Sequence, residues 1–204
     1  MHSSAPATRY DTVAMNLHWM IALLIVLDFA FAISFSRFNP GDALYLPSAY
    51  DLHMSTGACI LALSVARVMW RLTHRRPPLP AMGIALRSLA RVSHFLLYVF
   101  MVAAPLSGWF VLSLRHQATS VFGLFRWAWP TWPAIAVMPR PERAFWHDAL
   151  LPLHIWLSYL GMCLVVVHIA AALYHHFYRR DDVLTRMLPC TPAIRDARGS
   201  ANTT

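Results

Sequence analysis

The chain has 204 residues, 58% of them hydrophobic and only 13% charged, and a mean hydropathy of +0.47. Soluble domains are nearer half apolar and a quarter charged, so the composition argues against a soluble enzyme and against a disordered chain. The net charge is +8 and all 17 basic residues are arginine; they flank apolar runs, which speaks for membrane topology rather than nucleic-acid binding.

Four apolar stretches are long enough to cross a hydrocarbon core of about 30 Å as helices. They run over about Val13 to Phe35, Leu52 to Leu72, Val92 to Leu114 and Leu153 to Phe177. Open strands would leave backbone groups unpaired in lipid. The pattern therefore predicts an all-α, integral membrane four-helix bundle. The first run is too long for the core of a cleaved signal peptide and is expected to remain as a span. Residues 1–189 read as one transmembrane domain and residues 190–204 as a polar, mobile tail.

Arginine placement predicts the orientation. The connection between the second and third spans carries Arg75, Arg76, Arg87 and Arg91 and no acid; Arg9 precedes the first span, and Arg179, Arg180 and Arg186 follow the fourth. The first connection sets Arg37 against Asp42 and Asp51. The positive-inside rule then puts both termini and the second connection in the cytoplasm. The third connection, with Arg115, Arg126, Arg140 and Arg143 spread over about three dozen residues, falls on the periplasmic side. Its run from Phe125 to Pro133 holds Trp127, Trp129 and Trp132. It reads as a segment lying at the headgroup level, where tryptophan is enriched, with a lid over a site as the alternative.

The three cysteines, Cys59, Cys163 and Cys190, form no CxxC, CxxCH or finger spacing. Iron–sulfur clusters, covalent haem and structural zinc are disfavoured.

Eleven histidines are many for this length, and five fall within or at the ends of spans: His18, His53, His94, His154 and His168. An intramembrane imidazole marks a functional site by default. His154 and His168 share the fourth span, 14 residues apart. At 100° per residue they project from nearly one face, about 21 Å apart along the axis. That is too far for one metal and suits two stacked redox centres. By depth, His53 pairs with His154 at the periplasmic level and His18 with His168 at the cytoplasmic level. Imidazole pairs suit haem iron as axial ligands. Gly161 lies midway between His154 and His168, and Gly57 one turn after His53; both offer space for a flat macrocycle or for close helix packing. Arg67, 14 residues after His53, is placed either to meet propionates of the inner haem or to snorkel from a helix end. His94 is open to three roles: a ligand in place of His18, a propionate contact, or a quinone contact. His175 and His176 close the fourth span, as basic surface residues or as proton-handling groups at a quinone site. His2, His74, His116 and His147 read as ordinary surface residues. Asp28, an acid inside the first span, has no partner that the sequence identifies.

These residues carry a resemblance. Arg9-Tyr10 followed by Leu17-His18-Trp19, Leu52-His53-Met54-Ser55-Thr56-Gly57, Arg67-Val68-Met69-Trp70-Arg71-Leu72 before Pro77-Pro78-Leu79-Pro80, His94 with Pro105-Leu106-Ser107-Gly108-Trp109, and His154-Ile155-Trp156-Leu157 with His168-Ile169-Ala170-Ala171-Ala172-Leu173-Tyr174-His175-His176-Phe177 and Arg186-Met187-Leu188-Pro189 stand in order. In these the chain resembles the bacterial di-haem cytochrome b-561 family along all but its two tails. The resemblance implies a multi-pass inner-membrane protein with two non-covalent b haems held by His18, His53, His154 and His168. It also implies exchange of electrons with the quinone pool, with ubiquinone as substrate or bound acceptor. Within that family the expected activity is that of a superoxide:ubiquinone oxidoreductase, with Arg115, Arg126, Arg140 and Arg143 as a positive rim that steers the anion. The alternative is a b-type electron-transfer subunit for a periplasmic redox protein. A more remote one is a haem-free, histidine-rich metal transporter.

Overall fold

A computed structural model describes residues 9–39, 42–43, 46, 48–74, 77, 83–115 and 119–188. Arg75, Arg76, His2, His116, Cys190 and the tail 190–204 lie outside the described residues. Four long helices dominate: α1 (Thr12–Arg37), α2 (Ala49–Thr73), α3 (Ile84–Arg115) and, after a short hairpin of β1 (Thr119–Val121) and β2 (Phe125–Trp127) and a one-turn α4 (Pro133–Ala136), α5 (Arg140–Tyr174). A π-helical turn over His175–Arg179 and a 3-10 turn over Thr185–Met187 follow. All four long helices have the length and apolarity of membrane spans.

The ends of the helices have local causes. Asp11 caps α1 by accepting a hydrogen bond from the Ala14 amide at 2.9 Å, satisfying one of the donors a helix start leaves open. Proline stands in the first turn of α5, where its missing N–H costs nothing. Pro105 and Pro152 lie inside α3 and α5, as spans tolerate where neighbouring groups take up the freed backbone.

α1 packs along α2, α3 packs along α5, and α2 against α3 joins the two pairs. The shared core holds Ile21, Ile25, Ile60, Phe100, Met101 and Ala104, with Leu157 and Val165 against it. α2 buries small residues, Ala49, Ser55, Thr56 and Ser64, which lets the helix backbones approach closely. Large side chains such as Leu23, Phe95, Leu160 and Val166 are more than half exposed. So much apolar surface has a natural solvent only in lipid.

Two expectations need correction. Hydropathy started the third and fourth spans at about residues 92 and 153, whereas α3 begins at Ile84 and α5 at Arg140. Both extensions are rich in arginine and so fall below an apolar threshold while remaining helical. The long third connection therefore shrinks to residues 116–139. His147, expected on a surface loop, instead sits within α5 and is buried.

The remaining connection is tied down. β1 and β2 pair antiparallel with Thr119 opposite Trp127 and Val121 opposite Phe125. The turn places Gly123 at φ 74°, a conformation glycine takes without strain. Asp51 accepts from the Ser120 amide at 3.0 Å, and Ser55 Oγ accepts from the Phe122 amide at 3.0 Å. Trp129 Nε1 donates to Thr119 Oγ1, and Trp109 Nε1 donates to the Pro130 carbonyl at 2.9 Å. Such bonds contribute about 1 kcal/mol each, more where a carboxylate accepts. Together they clasp the hairpin to the start of α2 and the end of α3.

At the opposite end the start of α1 meets the 3-10 turn over Thr185–Met187. The Tyr10 amide donates to the Arg186 carbonyl, and Trp19 Nε1 donates to the Met187 carbonyl at 2.7 Å.

Candidate functional site: two histidine pairs in the bundle

The structure brings the predicted histidines together in two groups. Toward the hairpin end, the rings of His53 and His154 have centroids 6.3 Å apart. Toward the terminal end, those of His18 and His168 are 6.2 Å apart. Nitrogen–metal bonds to imidazole run about 2.0–2.1 Å, and each nitrogen lies about 1.1 Å from its ring centre. Two imidazoles in line through one metal ion thus set centroids about 6.2–6.4 Å apart. Both pairs meet that separation. His94 is also near, its ring 5.4 Å from that of His168, which is short for an in-line pair.

Around His53 and His154 the helices enclose a cavity of about 400 Å³. Its walls are mostly apolar, including Ile60, Phe100, Met101 and Leu112, with Asp28 among them. Trp127, Trp129 and Pro130 close it from the hairpin side. Trp127 and Trp132 keep more than 40% of their surface exposed, while Trp127 and Trp129 also line the cavity.

The outward nitrogens of this pair are occupied. His154 Nδ1 lies 2.9 Å from Ser107 Oγ. His53 Nδ1 lies 3.0 Å from Asp28 Oδ1, within ion-pair distance though not aligned as a hydrogen bond. The Thr56 hydroxyl donates to the same Asp28 oxygen. Each ring therefore keeps Nε2 for a metal, and holding the other nitrogen is what fixes tautomer and orientation at metal sites.

Two glycines shape the walls differently. A Cβ on Gly108 would meet His154 Cε1 at 3.0 Å, so α3 passes His154 closely because Gly108 has no side chain. A Cβ on Gly161 would run into the Phe100 ring. Gly161 thus makes room for the Phe100 ring. Gly57 faces open space on the cavity wall.

At the other pair, Arg67 is close enough for its charge to bear on both His18 and His168. Its Nε donates to Tyr98 Oη at 3.3 Å, and Arg71 Nη1 donates to the same oxygen at 3.2 Å. His94 Nδ1 contacts the Ala90 carbonyl at 2.6 Å. His175 Nδ1 lies 2.6 Å from Asp181 Oδ2. His176 lines a shallow surface depression with Arg180, Asp181, Asp182 and Thr185. π-helical turns such as the one bearing these two histidines recur at functional sites.

Asp28, Thr56, Ser107, Gly108 and Tyr98 were not assigned roles from the sequence. His147 carries a signal of its own: His147, His154, Gly161 and His168 follow one another at intervals of seven along one face of α5, and His175 continues the series in the turn that follows. Arg115 Nε donates to His147 Nε2 at 2.8 Å, and His147 Nδ1 lies 2.9 Å from Asp148. Among the described residues, no three His, Cys, Asp or Glu side chains converge as a metal-ion cage.

Facing imidazoles inside a four-helix membrane bundle, with no cysteine motif for covalent attachment, define a membrane cytochrome of the b type. The chain belongs to the prokaryotic cytochrome b561 family, whose model matches residues 9–190. It is 29% identical over 184 residues to the probable superoxide oxidase CybB of Yersinia pestis, covering 89% of this chain and 96% of that protein. It is 32% identical over 181 residues to cytochrome b561 homolog 2 of Escherichia coli K12, covering 88% and 91%. Cytochrome b561 homolog 1 of the same organism is 27% identical over 188 residues, covering 89% and 97%. The protein is accordingly a multi-pass, haem-binding electron-transfer protein of the bacterial inner membrane, which overturns the haem-free transporter reading.

Proposed function

We propose that the chain binds two b haems and carries electrons from superoxide on the periplasmic side to ubiquinone. The observation that supports this most is the repetition of one imidazole spacing, 6.3 and 6.2 Å, at two depths of the bundle. His53 and His154 would hold the outer haem, and His18 and His168 the inner one. When bound, the two haems supply one-electron carriers at two depths.

The chain's own residues account for the rest. His53 with His154, and His18 with His168, would each supply two imidazoles to a haem, which would then provide one-electron transfer rather than oxygen binding. Trp127, Trp129 and Pro130 shield the outer site from bulk water, and Gly57 leaves its wall open. Arg115, Arg126, Arg140 and Arg143 give that end a positive rim, which raises the capture rate of a small anion. Arg9, Arg87, Arg91, Arg179, Arg180 and Arg186 gather near the terminal end, which the positive-inside rule places in the cytoplasm. There Arg67 would meet the inner propionates. His94, His175 and His176 would contact quinone or propionate, with Asp181 holding His175. In balance, two superoxide anions each lose one electron and leave as dioxygen, while one ubiquinone takes two electrons and two protons and leaves as ubiquinol. The superoxide assignment draws on the name of the Yersinia relative together with the rim.

The test is purification in detergent, haem content by pyridine haemochrome, and spectra taken as enzymatically generated superoxide is supplied with and without superoxide dismutase. Two haems per chain, reduced in a dismutase-sensitive way and reoxidised by ubiquinone, are expected. Two haems indifferent to superoxide but reduced by a stoichiometric periplasmic protein would assign the chain as an electron-transfer subunit instead. Absence of haem would overturn the whole reading.

A further inference from the structure

Asp28 is an acid on a membrane span with its side chain only 15% exposed, beside a His53 side chain 14% exposed. A buried carboxylate in such surroundings is costly unless donors face it. The Thr56 hydroxyl donates to Oδ1, and His53 Nδ1 lies 3.0 Å from the same oxygen, at ion-pair distance without the alignment of a hydrogen bond. The other member of the outer pair, His154, has neutral partners at its own ring, the Ser107 hydroxyl at Nδ1 and the Ala104 backbone. The inner pair has a cation at its level instead: Arg67, 14 residues after His53 on the same helix α2, with its Nε donating to Tyr98 Oη at 3.3 Å.

We infer that Asp28 is a positioning residue that orients His53 and lowers the potential of the haem at the His53/His154 pair, while Arg67 raises that of the haem at His18/His168. The two fixed charges thereby make transfer from the hairpin end to the terminal end downhill. The inference rests on the ligand assignment proposed above. A carboxylate set beside the outer nitrogen of a ligating imidazole orients the ring and raises its basicity as a ligand. An anion close to the iron also favours the more positively charged oxidised state, and a cation favours the reduced one. Second-shell hydrogen bonding and local charge are two of the levers a protein has on haem potential.

The experiment is a redox titration of the purified full-length protein at one pH, following both haems by their visible spectra, with haem content measured in parallel. In the wild type the haem at the His53/His154 pair should have the lower potential; its identity is fixed by repeating the titration in the His168→Ala background. Asp28→Asn keeps the size and an acceptor oxygen but removes the charge. It should move the lower potential upward and leave the upper one in place, narrowing the gap. Arg67→Gln should move the upper potential downward and leave the lower one in place. Two bound haems with the lower potential unmoved in Asp28→Asn would overturn the inference. If Asp28→Asn loses that haem, Asp28→Glu decides: recovery of the haem near its original potential supports the carboxylate role, and failure to recover it overturns it. Fewer than two haems in the wild type would instead count against the ligand assignment.

Discussion

The rings of His18 and His168, brought together from the first and last long helices, have centroids 6.2 Å apart. The separation nearly repeats that of His53 and His154, at 6.3 Å. Because His154 and His168 are 14 residues apart on one helix, the repetition is built into α5 and the partners have only to arrive at matching depths. α1 and α2 run antiparallel, so His18 and His53 fall at opposite ends.

The crowded inner group yields the sharpest mutational contrast. His168 has two imidazole neighbours, His18 and His94, and only the first is at an in-line spacing. His168→Ala and His18→Ala should each reduce haem content from two per chain to about one, leaving the outer haem largely bound. His94→Ala should keep both. Pyridine haemochrome content decides, and equal loss from His94→Ala and His18→Ala would reassign the ligand.

Gly108 leads to a second expectation. Its missing side chain lets the His154 ring rest against α3, with a virtual Cβ 3.0 Å from Cε1. Ser107, the adjacent residue, holds that ring at Nδ1, so the ring has little freedom to retreat. Gly108→Val should displace His154 and empty the outer site selectively. Overpacking of this kind costs about 1–3 kcal/mol, so the chain should still accumulate in the membrane. One haem per chain, with the inner spectrum intact, is the expected result.

Much of this arrangement was legible because helical periodicity converts spacing into direction. The interval between His154 and His168 places two side chains on one face in any straight helix, and apolar span lengths place the ends. Contacts between helices were less legible. That Asp28 meets His53 and Thr56 depends on how far α1 is rotated against α2, which no single-helix pattern contains. The same holds for Gly108 beside His154, and for Phe100 in the space beside Gly161. The tryptophan run eluded a choice because the strands beneath it are three residues each, and they are held by Asp51 and Ser55 from a distant helix start. His147 was lost for a different reason: its seven-residue interval was present, but an apolarity criterion ended the span beyond it.

Charge at the hairpin end should appear as a rate. Arg140 and Arg143 open α5 near the hairpin, and electrostatic steering changes association rates by about 10–1,000-fold in favourable cases. Replacing both by glutamine should slow superoxide-driven haem reduction by up to about tenfold at low ionic strength. The salt dependence should flatten, because exposed charges act through a screening length of about 10 Å at 0.1 M. Pulse generation of superoxide with stopped-flow detection measures both quantities, and an unchanged rate and salt slope would leave the rim without a role in capture.

The last expectation concerns pH at the terminal end. Partial burial alone would raise the Asp181 carboxyl. The His175 ring, the Val183 amide and the Arg179 charge outweigh burial and hold its pKa below the ordinary 3.8. A depressed carboxyl stabilises the folded segment fully above the unfolded value, and the contribution is lost as pH falls through the folded pKa. The turns over residues 175–188 should therefore hold firm from neutral pH down to about 4 and loosen only below it. Asp181→Asn should remove the dependence and leave the segment as loose at neutral pH as the wild type becomes at low pH. A hydrogen bond to a charged group contributes about 1.5 kcal/mol or more, so amide exchange at Asp181 and Val183 should quicken by roughly tenfold at neutral pH. Trp109 stays the internal reference, since its bond to the Pro130 carbonyl lies at the hairpin end and uses no titrating group. Hydrogen exchange that slows as pH falls below 4, after correction for the intrinsic rate, would contradict the sign of this linkage.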